Sequence, residues 1–144
     1  MQRITRRLSA MSMVLAASLL LMACGSHPAA TSNPKPATLE KIAGSSVARV
    51  ILTEQGARRI DLHTEPIRSQ DGGSAMPYAA IVYDKVGDTW VYTTTEPLTF
   101  MRQSISVGSI KGNVVLLKDG PAPGTQVVTV GVAELYGVEF GAGH

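Results

Sequence analysis

The sequence predicts an all-β domain: a small barrel-like fold of about six to seven strands with one short helix. Three observations lead there. Short runs rich in β-branched and aromatic residues recur at roughly ten-residue spacing through residues 78–132. Gly, Pro and Asp clusters punctuate them. No sustained helical heptad pattern occurs anywhere in the chain. With 144 residues, 44% of them hydrophobic, the chain has material for one small domain.

Residues 1–23 read as a secretory signal. Arg3, Arg6 and Arg7 form a basic start, and an apolar run follows from about Ala10 to Met22. That run is too short for an ordinary spanning helix. It ends in Leu21-Met22-Ala23-Cys24, which resembles the bacterial lipobox, so Cys24 is the expected lipidation site. Cys24 is the one cysteine, so no intrachain disulfide is possible. Two or more acyl chains would anchor the chain stably. Arg6-Arg7 hints at twin-arginine export, but Leu8-Ser9-Ala10 fits that pattern poorly. The formal charge of +2 comes from this segment. Without its three arginines, 10 basic and 11 acidic residues remain, and no basic patch points to nucleic acid.

Residues 24–46 are dominated by Pro, Ala, Ser and Thr and read as a disordered tether, reaching roughly 25 Å. His27 within it is expected to be solvated. The domain is expected over residues 47–140. Residues 47–53 form its first strand, rich in Val, Ile and Leu. Thr53 is a plausible N-cap for a helix over residues 54–60, with Glu54 at its positive end and Arg58 and Arg59 at its negative end. Gly56 inside that helix costs about 1 kcal/mol relative to Ala. Residues 62–68 read as a second strand, with Pro66 suited to an edge. Residues 69–77 read as a linker loosened by Gly72 and Gly73.

Tyr-Ala-Ala-Ile-Val-Tyr (78–83) and Thr-Trp-Val-Tyr-Thr-Thr (89–94) flank a polar, Gly-containing turn and read as a hairpin. Strands over 98–107, 114–117 and 127–130 follow, the last two separated by the turn Asp-Gly-Pro-Ala-Pro-Gly. Five short strands leave open edges, so residues 47–53 and 62–68 are expected to pair into the same sheet. Residues 133–136 suggest one helical turn, and residues 139–144 a frayed end.

Two stretches carry a resemblance. T-W-V-Y … P-L-T-F-M-R-Q-S-I-S-V-G … G-N-V-V-L-L … G-P-A-P-G-T-Q-V-V-T-V-G-V-A-E-L resembles the C-terminal segment of the periplasmic adaptor subunits, or membrane-fusion proteins, of resistance-nodulation-division efflux pumps. I-L-T-E-Q-G-A-R-R-I-D-L-H-T-E-P-I resembles a segment near their N-terminus, with Asp61 where that pattern has Gly. In an adaptor these ends are far apart in sequence and meet in one membrane-proximal domain. The resemblance covers about residues 49–140 and implies that domain alone, without the lipoyl-like domain or the helical hairpin.

The resemblance implies a non-enzymatic, lipid-anchored interaction module of the bacterial cell envelope, facing the periplasm and accessory to efflux transport. Its partners would be membrane lipid through Cys24, and an inner-membrane pump or a full-length adaptor. Gly25 after the cysteine, in place of Asp, favours the outer membrane under the enteric sorting rule, and the leaflet stays open. Partner-binding candidates, chosen by residue type on strand faces expected to be exposed, are Tyr92, Phe100, Arg102 and Tyr136. Trp90 and Phe100 also suit a core. Arg102 otherwise reads as a solvated outer-face residue.

No His-x-x-x-His, cysteine pair or phosphate loop supports catalysis or a metal, and no cofactor is expected. Asp84, Asp88 and Asp119 fit turn chemistry. His63, Met76 and Met101 could serve a soft metal, though Met is more often a gap filler. The alternatives are a ligand- or metal-binding periplasmic lipoprotein, or a decayed adaptor fragment.

Overall fold

The computed structural model describes residues 35–70 and 72–141. The signal segment, Cys24 and His27 lie outside them. In chain order the elements are β1 (Ala37–Lys41), β2 (Ala48–Leu52), α1 (Glu54–Arg59), β3 (His63–Pro66), β4 (Arg68–Gln70) and β5 (Gly73–Pro77). A 3-10 turn (Tyr78–Ala80) leads to β6 (Val82–Tyr83), β7 (Thr89–Glu96), β8 (Thr99–Ser104), β9 (Ser106–Lys111), β10 (Val114–Asp119), β11 (Gln126–Val130) and α2 (Val132–Phe140). The class is all-β. The strands lie in two antiparallel sheets rather than one closed barrel. The first has the order β1-β2-β8-β7-β11-β3, with β6 also on β7, and the second β4-β5-β10-β9.

The strands expected to close the sheet do join it. β2 pairs β8 through Val50↔Phe100 and its neighbours, and β3 pairs β11. Two isoleucines carry the chain between sheets. Ile67 separates β3 from β4, and Ile105 separates β8 from β9. Both are buried in the core between the sheets, with Met76, Val91, Val115 and Val127. The single strand expected over residues 98–107 is therefore two strands in different sheets. The other face of the first sheet packs Val50, Tyr92, Phe100 and Val128 against Leu135 of α2. Adjacent residues thus serve opposite cores, as the two-residue strand period requires. Val91 and Tyr92 are both fully buried, as are Val127 and Val128.

Three segments depart from expectation. Residues 37–41, placed in the tether, form β1 and pair with β2 from Ala37↔Leu52 to Lys41↔Ala48. Only Ala37 and Leu39 turn inward, so the segment's composition looks like linker. Residues 69–77, expected as a linker, form most of the β4–β5 hairpin. β4 is wholly exposed, and only Ala75 and Met76 of β5 are buried. In residues 78–83 the strand shrinks to Val82–Tyr83, because the chain first makes a 3-10 turn after Pro77.

The α1 cap forms as expected: the Gly56 N–H donates to Thr53 Oγ1 at 3.0 Å. Asp61 beyond the helix has φ 49°, the left-handed conformation that Asp tolerates. Gly56 is required for space. The Pro36 carbonyl, which accepts from the Thr53 N–H at 3.0 Å, lies where a β-carbon would stand. Helix α2 is longer than the single turn expected. It runs from Gly131 (φ 93°) to Gly141 (φ 73°) and passes through Gly137. Among the described residues no helix is long and apolar enough to cross a membrane.

Replacing Gly by Ala in an ordinary helix interior gains about 1 kcal/mol. Gly56→Ala is expected instead to lose about 1–3 kcal/mol, because the Pro36 backbone must move. Urea denaturation checks this, and an unchanged or higher midpoint would mean that Pro36 yields freely.

Candidate functional site

Antiparallel pairing of β7 and β8 sets Tyr92 directly opposite Arg102. The strand period places Trp90 beside Tyr92 and Phe100 beside Arg102 on the same face. Helix α2 crosses that face. Leu135 and Glu139 lie one turn apart on it, as do Tyr136 and Phe140. Leu135 enters the core, and Glu139 follows it inward.

The Glu139 carboxylate accepts from two strands. Arg102 Nε donates to Oε1 at 3.0 Å, and the Tyr92 hydroxyl donates to Oε2 at 2.6 Å. The two charged side chains are 6% and 3% exposed. The Arg102 guanidinium lies 4.1 Å from the Trp90 ring centre and 4.9 Å from that of Phe140, within cation–π range. Tyr136 packs on Phe140 with ring centres 4.4 Å apart. Burial first, and then the hydrogen bond to Glu139, push the Tyr92 phenol far above its ordinary range.

Asp84 organises the turn before β7. Its Oδ1 accepts from the backbone N–H groups of Val86 (3.0 Å) and Asp88 (2.9 Å), and Oδ2 accepts from Trp90 Nε1 at 3.1 Å. Desolvation, the largest single influence, works to raise its pKa. The hydrogen bonds, that of Trp90 foremost, outweigh this and hold it below the ordinary carboxylate value. Between this turn and α2 opens a depression of about 300 Å³, whose lining includes Lys85, Val86, Trp90, Arg102, Tyr136 and Phe140.

Three of the four partner-binding candidates are not on exposed faces. Tyr92, Phe100 and Arg102 are 0%, 2% and 6% exposed. Helix α2 covers them, and Arg102 is ion-paired rather than solvated. Tyr136 is half-buried on α2 and keeps some accessible surface. Glu139, expected in a frayed end, is the acceptor that joins the helix to the sheet. Its signal was the spacing Leu135/Glu139 and Tyr136/Phe140, masked by Gly137 within the helix.

Cys24 lies outside the described residues. His63 is exposed, with Nδ1 2.6 Å from the Asp61 carbonyl oxygen. Met76 fills the core between the sheets, and Met101 is half-buried on β8. Among the described residues no group of three His, Cys, Asp or Glu is arranged to hold a metal. No family model, curated protein or solved structure matches the chain.

Two outcomes follow from the buried cluster. Glu139→Ala strands the Arg102 charge and is expected to cost about 3–5 kcal/mol. Arg49→Ala, which removes an exposed pair with Glu40 at 3.4 Å, is expected to cost about 0–1 kcal/mol. Denaturant titration of the two variants separates them, and equal costs would overturn the assignment.

The second concerns pH. Above about pH 10 the unfolded Tyr92 phenol ionises while the folded one keeps its proton. The unfolded state then binds fewer protons, so stability falls as pH rises. Tyr92→Phe is expected to flatten that decline. A remainder belongs to Tyr83, whose pKa is raised first by the neighbouring Tyr78 hydroxyl. Identical slopes in wild type and variant would contradict the prediction.

Proposed function

We propose that this chain is a lipid-anchored, non-enzymatic interaction module of the periplasm, related to the membrane-proximal domain of efflux-pump adaptors and accessory to efflux transport. One observation carries the reading. The two segments that resemble opposite ends of an adaptor chain interleave in one sheet: β2, from the first segment, pairs β8 of the second, and β3 pairs β11. An adaptor's membrane-proximal domain is assembled from its two chain ends in the same sense.

The module docks on a pump or beside a full-length adaptor. The buried Tyr92, Phe100 and Arg102 shape the domain from inside and do not make this contact. Accessible apolar side chains remain elsewhere, including Tyr78, Ile110 and Val114 on and beside the second sheet. Tyr78 and Val114 also line a groove of about 510 Å³ with Arg68 and Asn113. A domain of this size is on the order of 30 Å across. Acylated Cys24, a short stretch of chain before β1, would hold it close to the membrane surface.

Crosslinking in intact membranes followed by mass spectrometry is the direct test. Pump or adaptor peptides are expected with the wild type, and Cys24→Ser is expected to release the protein from membranes and lose them. Recovery of no such peptides, with unchanged drug and metal tolerance in a deletion strain, would remove the reading.

A further inference from the structure

We infer that the depression over Arg102 is a binding site for a small carboxylate carried on an apolar, ring-sized body. The inference is independent of the efflux reading. A guanidinium carries five N–H donors in a fixed plane. Glu139 takes the one on Nε. Among the described residues no other acceptor bonds this guanidinium, so the four N–H groups on the two Nη atoms have no protein partner there. They are not sealed in: the one fully enclosed, unpaired side-chain polar atom among the described residues is Thr94 Oγ1. Arg102 is 6% exposed, and it lines the depression. A charged side chain more than nine-tenths buried thus lines an opening while its Nη donor edge has no partner among the described residues. Buried charged donors ordinarily find acceptors.

The geometry of that edge selects the head group. Two Nη groups side by side match the two oxygens of a planar carboxylate. The charge balance argues against a dianion. Arg102 and Lys85 are offset by Glu139 and Asp84, leaving no surplus positive charge for a phosphate. Asp84 does not compete for the ligand's place, because its oxygens are held by Trp90 and the backbone of its own turn. The walls select the body. Trp90, Tyr136, Phe140 and Val86 offer apolar and ring surface, suited to a flat hydrocarbon group. A volume of about 300 Å³ is at the small end for ligand pockets, so the ligand is a small organic acid rather than a peptide.

Trp90 is the one tryptophan of the chain, so its fluorescence reads the site directly. The full-length protein is titrated with benzoate, with its neutral isostere benzamide, and with inorganic phosphate. A saturable change with benzoate is expected at millimolar concentration, at least tenfold weaker with benzamide and with phosphate. Val86 is 82% exposed at the rim, so Val86→Glu brings a negative charge to the mouth without touching the core. It is expected to weaken benzoate about tenfold, or ~1.4 kcal/mol, with the thermal midpoint unchanged. Equal responses to benzoate and benzamide would show an apolar cleft that does not use Arg102. A response to phosphate matching that to benzoate would overturn the choice of ligand class. Absence of a saturable benzoate signal, or a Val86→Glu variant that folds and binds benzoate as tightly as wild type, would overturn the site.

Discussion

The Glu139 carboxylate, set between helix and sheet, is the constraint that α2 depends on. The helix has nine residues and contains Gly137. A helix so short is marginal by itself, and an internal glycine weakens it further. Its stability comes from docking. Leu135 supplies the apolar part by entering the core. Glu139 supplies direction, because its two oxygens accept from Arg102 on β8 and from Tyr92 on β7. Those strands are neighbours in the middle of the first sheet, so one carboxylate sets both the position and the rotation of the helix. With α2 in place, Trp90 and Phe140 come to lie against the same guanidinium.

The two-layer arrangement has a second support. At Ile67 and Ile105 the chain leaves one sheet and enters the other within a single residue, and both side chains point into the core between the sheets. β7 is consequently buried on both faces over Val91, Tyr92 and Thr93. The outer strands are protected in other ways. Pro66 ends β3, where its missing N–H is harmless. β4 is short and carries Arg68, β1 carries Glu40 and Lys41, and β9 ends in Lys111. Short, charged edges discourage pairing with another chain.

Much of this is legible in sequence where one residue type has one local use. The β-branched run over residues 89–94, the Thr53 cap and the Asp84 turn all read correctly, because each is a local interaction. Strands β1, β4 and β5 are hidden because edge strands bury few side chains, and polar alternation looks like linker. Arg102 illustrates a different failure. A lone Arg in a strand reads as solvated, since its acceptor lies 37 residues away on a helix expected to be one turn long. Yet the two-residue period holds the correction. If Phe100 faces a core, Arg102 on the same strand faces that core as well. Phe100 inside and Arg102 outside are mutually inconsistent on the strand period alone.

Stability alone does not require an arginine at that position. Desolvating a guanidinium and a carboxylate costs several kcal/mol per ion, and apolar replacements of similar volume are often as stable or more so. The face is otherwise lined by residues that would accept such a replacement, among them Phe100, Val128 and Leu135. An Arg–Glu pair does offer a defined geometry, and a lysine could pair with Glu139 as a single point charge. What only arginine adds is a second donor edge, held rigid while the first is engaged. That edge belongs to a side chain that lines the depression together with Trp90, Tyr136 and Phe140. The ion pair with Glu139 therefore acts as the mount, fixing the guanidinium plane so that the opposite edge is presented in one orientation to whatever enters.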